Sequence, residues 1–180
     1  MKLYHRVPET MKFDRLLPLN KLEQKDEELY KENNWKYLHR LELKKKMVPH
    51  LNCLWNDVIH MTPVHPSAVN AALKRAGYTP GNNSRWFEIC PEKLNFSKKN
   101  SVIFLYPDKQ LNYLESPEED YLPFEINKLE GLEVLRDEVE DYYRESKAKD
   151  ERPMTFHLVP HVLYQGELLF EAMNMIEVGE

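Results

Sequence analysis

Glycine is scarce: there are five in 180 residues, no two at G-x-G spacing, and no G-x-x-x-x-G-K run. A loop that cradles a phosphate on its backbone needs such glycines ahead of a helix, so Rossmann and P-loop chemistry are excluded. Long apolar runs are missing too. The longest, Val102 to Tyr106, has five residues, against about 20 for a bilayer-spanning helix. The two cysteines, Cys53 and Cys90, form no C-x-x-C pair, which argues against a zinc knuckle, a redox motif or a disulfide framework. No serine stands in a G-x-S-x-G elbow, so an α/β-hydrolase nucleophile has no foothold. The opening residues hold neither an apolar stretch nor a small-residue cleavage site. A secretory signal is therefore not expected, and the cytoplasm is the expected compartment.

What is present is a globular composition, 42% hydrophobic and 31% charged, which over 180 residues suggests one domain spanning 1–180. The net charge of −5 is unevenly spread: Glu115 to Glu151 carries 14 acidic against 5 basic residues. The densest basic run, Lys44-Lys45-Lys46, is short and closes a mixed-charge helix, where it suits the helix dipole. A nucleic-acid partner is therefore not expected, and the sequence leaves the oligomeric state open.

Apolar periodicity and turn residues sketch the elements. Leu3 to Val7 alternates as a first strand that Pro8 stops. Asn20 with Glu23 resembles a capping box, opening a surface helix that runs with a break near Asn33-Asn34 until Pro49. Leu54 to Thr62 suits a strand, and Ser67 to Ala76 a helix with Pro66 at its start and Gly77 at its stop. Trp86 to Cys90, Ser101 to Tyr106 and Tyr121 to Ile126 suit further strands, the second apolar enough to be central. A helix is expected from Leu129 to Lys147, then a strand over Thr155 to Tyr164 that Pro160 makes an edge or bulged one. A short helix from Leu168 and a last strand over Met175 to Val178 close the chain. Strands and helices mix without regular alternation, so the class is α+β, with a mixed or mostly antiparallel sheet flanked by helices.

Histidine carries the chemical interest. His5, His60, His157 and His161 fall on expected strands among apolar or small neighbours, where each imidazole needs a hydrogen-bond partner. Each is explained as a satisfied core or edge histidine; should their strands adjoin, they could instead line one cleft. A metal-dependent hydrolase using His60, His65 and a strand histidine is one alternative, and a noncatalytic interaction protein another. His157 and His161 would lie about 13 Å apart along a strand, too far for one ion. The acidic Glu115 to Asp120 run suits a solvated loop, and Trp35, Trp55 and Trp86 suit core or stacking positions.

Leu3-Tyr4-His5-Arg6 followed by Leu17-Pro18-Leu19, then Ile59-His60-Met61-Thr62-Pro63, then Pro160-His161 through Glu167 with Met175 to Val178, resemble in order the blocks of ADP-ribosyltransferase-like proteins. Over its whole length the chain also looks like a family of short bacterial proteins, a likeness that implies no activity. The first resemblance implies a split sheet with a nucleotide-sized cleft and NAD as the small ligand. His5 would hold the ribose, Arg6 a phosphate, Thr62 the cleft wall, and His161 would act as base or donor. The family usually places a catalytic glutamate where this chain has His161, and the nearest carboxylate, Glu167, lies beyond the turn. Binding alone, or altered chemistry with His161 and Glu167, is therefore expected rather than standard transfer.

Overall fold

A computed structural model describes residues 1–34, 40–80, 85–106 and 116–178. In chain order its strands are β1 (Leu3–Arg6), β2 (Arg15–Leu16), β3 (Met47–Val48), β4 (Cys53–Leu54), β5 (Ile59–Met61), β6 (Arg85–Ile89), β7 (Ser101–Phe104), β8 (Tyr121–Pro123), β9 (His161–Tyr164), β10 (Leu168–Leu169) and β11 (Asn174–Glu177). The α-helices are α1 (Leu19–Lys25), α2 (Glu27–Asn34), α3 (Pro66–Arg75) and α4 (Asp137–Ala148). The fold is α+β. Among the described residues every strand pair is antiparallel, in a three-stranded sheet β1-β6-β11, a four-stranded sheet β5-β9-β7-β8 and two short ribbons, β2 with β10 and β3 with β4.

Alternate strand residues feed two cores. Val102 and Phe104 of β7 and Leu163 of β9 face α3 and α4, packing with Val69, Leu73, Val139 and Tyr143. Ile103 and Val162 face the other way, onto Leu3, Ile59, Phe87, Phe124 and Leu129. β7 is thus buried on both faces, which is why its sequence is apolar without alternation. At the seam between the main sheets, Tyr4 and Thr62 exchange backbone hydrogen bonds of 2.8 and 3.0 Å. That bridge joins β1 to the free edge of β5.

Several expectations are corrected. The helix from Asn20 to Pro49 is instead α1, α2 and a 3₁₀ turn at Leu41–Lys45, with residues 35–39, and so Trp35 and Leu38, outside the described ones. Its first break is at Asp26, whose extended backbone ends α1 and whose Oδ1 accepts the Leu29 N–H at 3.0 Å to start α2. A short polar side chain there competes successfully with helix continuation. Asn20 caps nothing, since α1 begins at Leu19 without a side-chain cap.

α4 starts only at Asp137, because Gly131 takes a left-handed φ of +84° and Leu129 sits in a 3₁₀ turn before it. Thr155 to Val159 is a string of turns with Leu158 at φ +63°. Pro160 precedes β9 rather than lying within it, so its missing N–H costs no ladder bond, and β9 sits inside its sheet between β5 and β7. Leu168 opens a two-residue strand and a 3₁₀ turn rather than an α-helix. Lys46, expected in a solvated turn, has its ammonium enclosed by the rings of Trp55, Phe104 and Tyr121 at 5.2 to 5.7 Å.

Candidate ligand-binding site

Beyond the Tyr4–Thr62 bridge, the two strands are also linked through a side chain: the His5 Nδ1–H donates to the His60 carbonyl at 2.8 Å. The imidazole thereby occupies an edge carbonyl that the β5–β9 ladder leaves over. His5 and His60 both line a cavity of about 300 Å³, together with His161, and that volume falls within the range of small-molecule sites. His60 pairs with Leu163 across the ladder, so His161 is its diagonal neighbour on the same face, and the two rings lie 6.5 Å apart. The far wall comes from the segment Pro8 to Leu19 and from Leu22, Leu29 and Asn33 of α1 and α2.

His161 is half-buried, and its Nδ1–H donates to the Val159 carbonyl at 2.7 Å. That bond fixes the tautomer and leaves Nε2 as a lone-pair acceptor with no hydrogen-bond partner among the described residues. Burial pulls its pKa down to about 4, against a smaller opposing effect of the Val159 carbonyl. At neutral pH His161 is therefore an uncharged acceptor. His60 donates from Nε2 to the Trp55 carbonyl at 3.0 Å and packs on the Trp55 ring at 4.6 Å.

The remaining expected site residues are placed elsewhere. Arg6 follows His5 on β1 and is exposed outside the cavity lining, as the alternation of strand side chains requires. Thr62 is 3% exposed, with its hydroxyl oxygen accepting the Val64 N–H at 3.1 Å, and it does not line the cavity. Glu167 lies behind the lining residue Arg15, within 3.1 Å of it, 3.2 Å of Lys21 and 3.7 Å of Lys25. Burial acts to raise its carboxyl pKa, but the bonds from Arg15 and Lys21 outweigh that and hold it below the usual carboxylate range.

His157 sits in the turn before β9, hydrogen-bonded to the Tyr106 hydroxyl at 2.6 Å and away from the cavity. His65 caps α3, bonded through Nδ1 to Ser67, with Tyr4 edge-on at 4.9 Å. It does not join His60, and among the described residues no three His, Cys, Asp or Glu side chains gather in a way that could hold an ion.

No family model, curated protein or solved structure matches the chain. The site is thus defined by its own geometry. Lys12 and Arg15 are the charged groups of the described lining, and no carboxylate is among them. Lys12 pairs with Asp26, while Arg15 shares a cluster with Asp14, Glu167, Lys21 and Lys25, three cations to two carboxylates. Asn56 also lines the cavity, 2% exposed, in the 3₁₀ turn Trp55–Asp57 just before β5. None of Lys12, Arg15 or Asn56 stands in a motif, so local sequence carried no signal for them. The loop after β1 and the 3₁₀ turn become walls only when the sheets meet.

Proposed function

We propose that this chain binds a nucleotide of the NAD class in the cavity between its two sheets, in the manner of ADP-ribosyltransferase-like proteins but without their standard transfer chemistry. The observation that carries the reading is a cavity shared by His5 and His161, from opposite ends of the chain, whose described lining holds two cations and no carboxylate. The neutral His161 imidazole suits a ribose hydroxyl: its Nε2 accepts a hydroxyl hydrogen, and the His5 ring flanks the sugar. The excess positive charge around Arg15 draws phosphate oxygens to the same wall.

Departure of nicotinamide from ribose leaves a cation-like sugar that needs a negative group beside it. An imidazole with its pKa near 4 supplies no negative charge at any pH, and Glu167 is already engaged by three cations. Binding and release is accordingly the favoured activity.

Isothermal titration with NAD tests the reading. Saturable binding with a dissociation constant below 1 mM, weakened about tenfold by His161→Ala, is expected, together with no nicotinamide release above background. Absence of binding at millimolar NAD overturns it.

A further inference from the structure

Hydrocarbon and positive charge dominate the cavity wall. Leu17, Leu19, Leu22, Leu29, Val58 and Ile59 all line it, and Lys12 and Arg15 are the charged groups of the described lining. The nearest carboxylates stand behind those two cations: Asp26 is paired with Lys12, and Asp14 and Glu167 are paired with Arg15. None of the three lines the cavity. A ligand that enters thus meets no negative group that could offset a positive charge of its own, and burying an uncompensated charge is costly.

Elsewhere the chain shows what enclosing a cation takes. The Lys46 ammonium is surrounded by the rings of Trp55, Phe104 and Tyr121 and attracted by the Asp120 carboxylate, the two devices that stabilise a buried positive charge. The cavity has neither. Its described lining contains no tryptophan or tyrosine, and of its two phenylalanines Phe170 already has one face stacked on Phe87 at 5.2 Å.

The two ends of NAD differ in this respect. Nicotinamide is bound to its ribose as a permanently charged pyridinium, which has no proton to shed on burial, whereas adenine is flat and neutral. We infer that the cavity receives the adenosine half of the nucleotide, with adenine against the leucines of α1 and α2 and its ribose at His161, while the cationic nicotinamide stays outside. Adenine nucleotides such as ADP-ribose are then the ligand class. The inference rests on the nucleotide reading above and adds to it which half of the ligand is recognised.

Isothermal titrations with NAD, ADP-ribose, AMP and nicotinamide mononucleotide test it. ADP-ribose lacks the pyridinium base alone, and the two mononucleotides carry the same ribose 5′-phosphate on a neutral or a cationic base. ADP-ribose is expected to bind as tightly as NAD or more tightly, and AMP at least about tenfold more tightly than nicotinamide mononucleotide. Lys12 lines the cavity with a half-exposed side chain, so Lys12→Glu sets a carboxylate on the wall and is expected to narrow that gap by about threefold or more. The lost attraction for phosphate cancels from the ratio, since both mononucleotides carry one. NAD binding more tightly than ADP-ribose, nicotinamide mononucleotide binding as well as AMP, or a gap unmoved by Lys12→Glu each overturns the inference alone. Failure of both NAD and ADP-ribose to bind at millimolar concentration removes the nucleotide reading with it.

Discussion

Folding stability should fall on mild acidification by an amount traceable to His161. Its pKa is drawn from 6.5 to about 4 by burial, so the unfolded chain takes up a proton below pH 6.5 that the folded chain refuses until about pH 4. Stability is at its full value above pH 6.5 and is lost progressively as the pH falls through that window. A full shift of this size is worth about 3 kcal/mol at roughly 1.4 kcal/mol per unit. Since His161 keeps some contact with solvent, about 2 kcal/mol is the expected loss between pH 7 and pH 4.5. Urea unfolding of the wild type and His161→Gln across that range isolates the effect, because carboxylates and the other histidines titrate alike in both chains. The wild type should lose about 2 kcal/mol more than the variant. Parallel curves for the two chains, or a steeper loss in the variant, would refute the reasoning.

Arg136 donates from Nη2 to the Tyr106 carbonyl at 2.6 Å and to the Leu158 carbonyl, two residues held at positive φ. Arg136→Met takes the guanidinium donor away from both carbonyls and should lower unfolding free energy by about 2–3 kcal/mol in urea; an unchanged midpoint would contradict that role. Lys46 has its ammonium buried without a hydrogen-bond partner among the described residues and its pKa pulled down to about 8 by burial, against the attraction of Asp120. Lys46→Met should be neutral or stabilising by up to about 1 kcal/mol at pH 7. That advantage should shrink from about pH 8 toward 10.5, because there the folded wild type has shed a proton that the unfolded chain still holds. Thermal melts at pH 7 and pH 9.5 check the sign, and a growing advantage at the higher pH would overturn it.

The parts of the fold that were legible in the sequence are those whose signals are local. α3 carries Pro66 in its first turn, Val69, Ala72 and Leu73 on its buried face, and Gly77 at φ +83° beyond its end. β1, β6, β7 and β11 follow from period-two or continuous apolar patterns, each within a residue or two of its expected bounds. The expectations that failed turned on competition settled by single side chains: Asp26 chose to cap α2 instead of continuing α1, and Pro160 fell one residue outside the strand it was expected to weaken.

At the site, the meeting of His5, His60 and His161 was foreseeable only if their strands adjoined, and the Tyr4–Thr62 bridge and the β5–β9 ladder bring that about. Arg6 could have been set aside beforehand, since it alternates to the face of β1 opposite His5. Asn56, Lys12 and Arg15 could not have been found, because a 3₁₀ turn, an irregular segment and a two-residue strand have no periodicity to betray which side chains they turn to the cavity.

The histidine ring resonances during a titration with NAD give the most direct measurement on the cavity. Of the described histidines, His5, His60 and His161 line it and His50 and His65 do not. Nitrogen-edited NMR should show the ring signals of His5 and His161 moving with added NAD while those of His50 and His65 stay in place. Still signals from His5 and His161, or movement confined to His50 and His65, would contradict a nucleotide site at the junction of the two sheets.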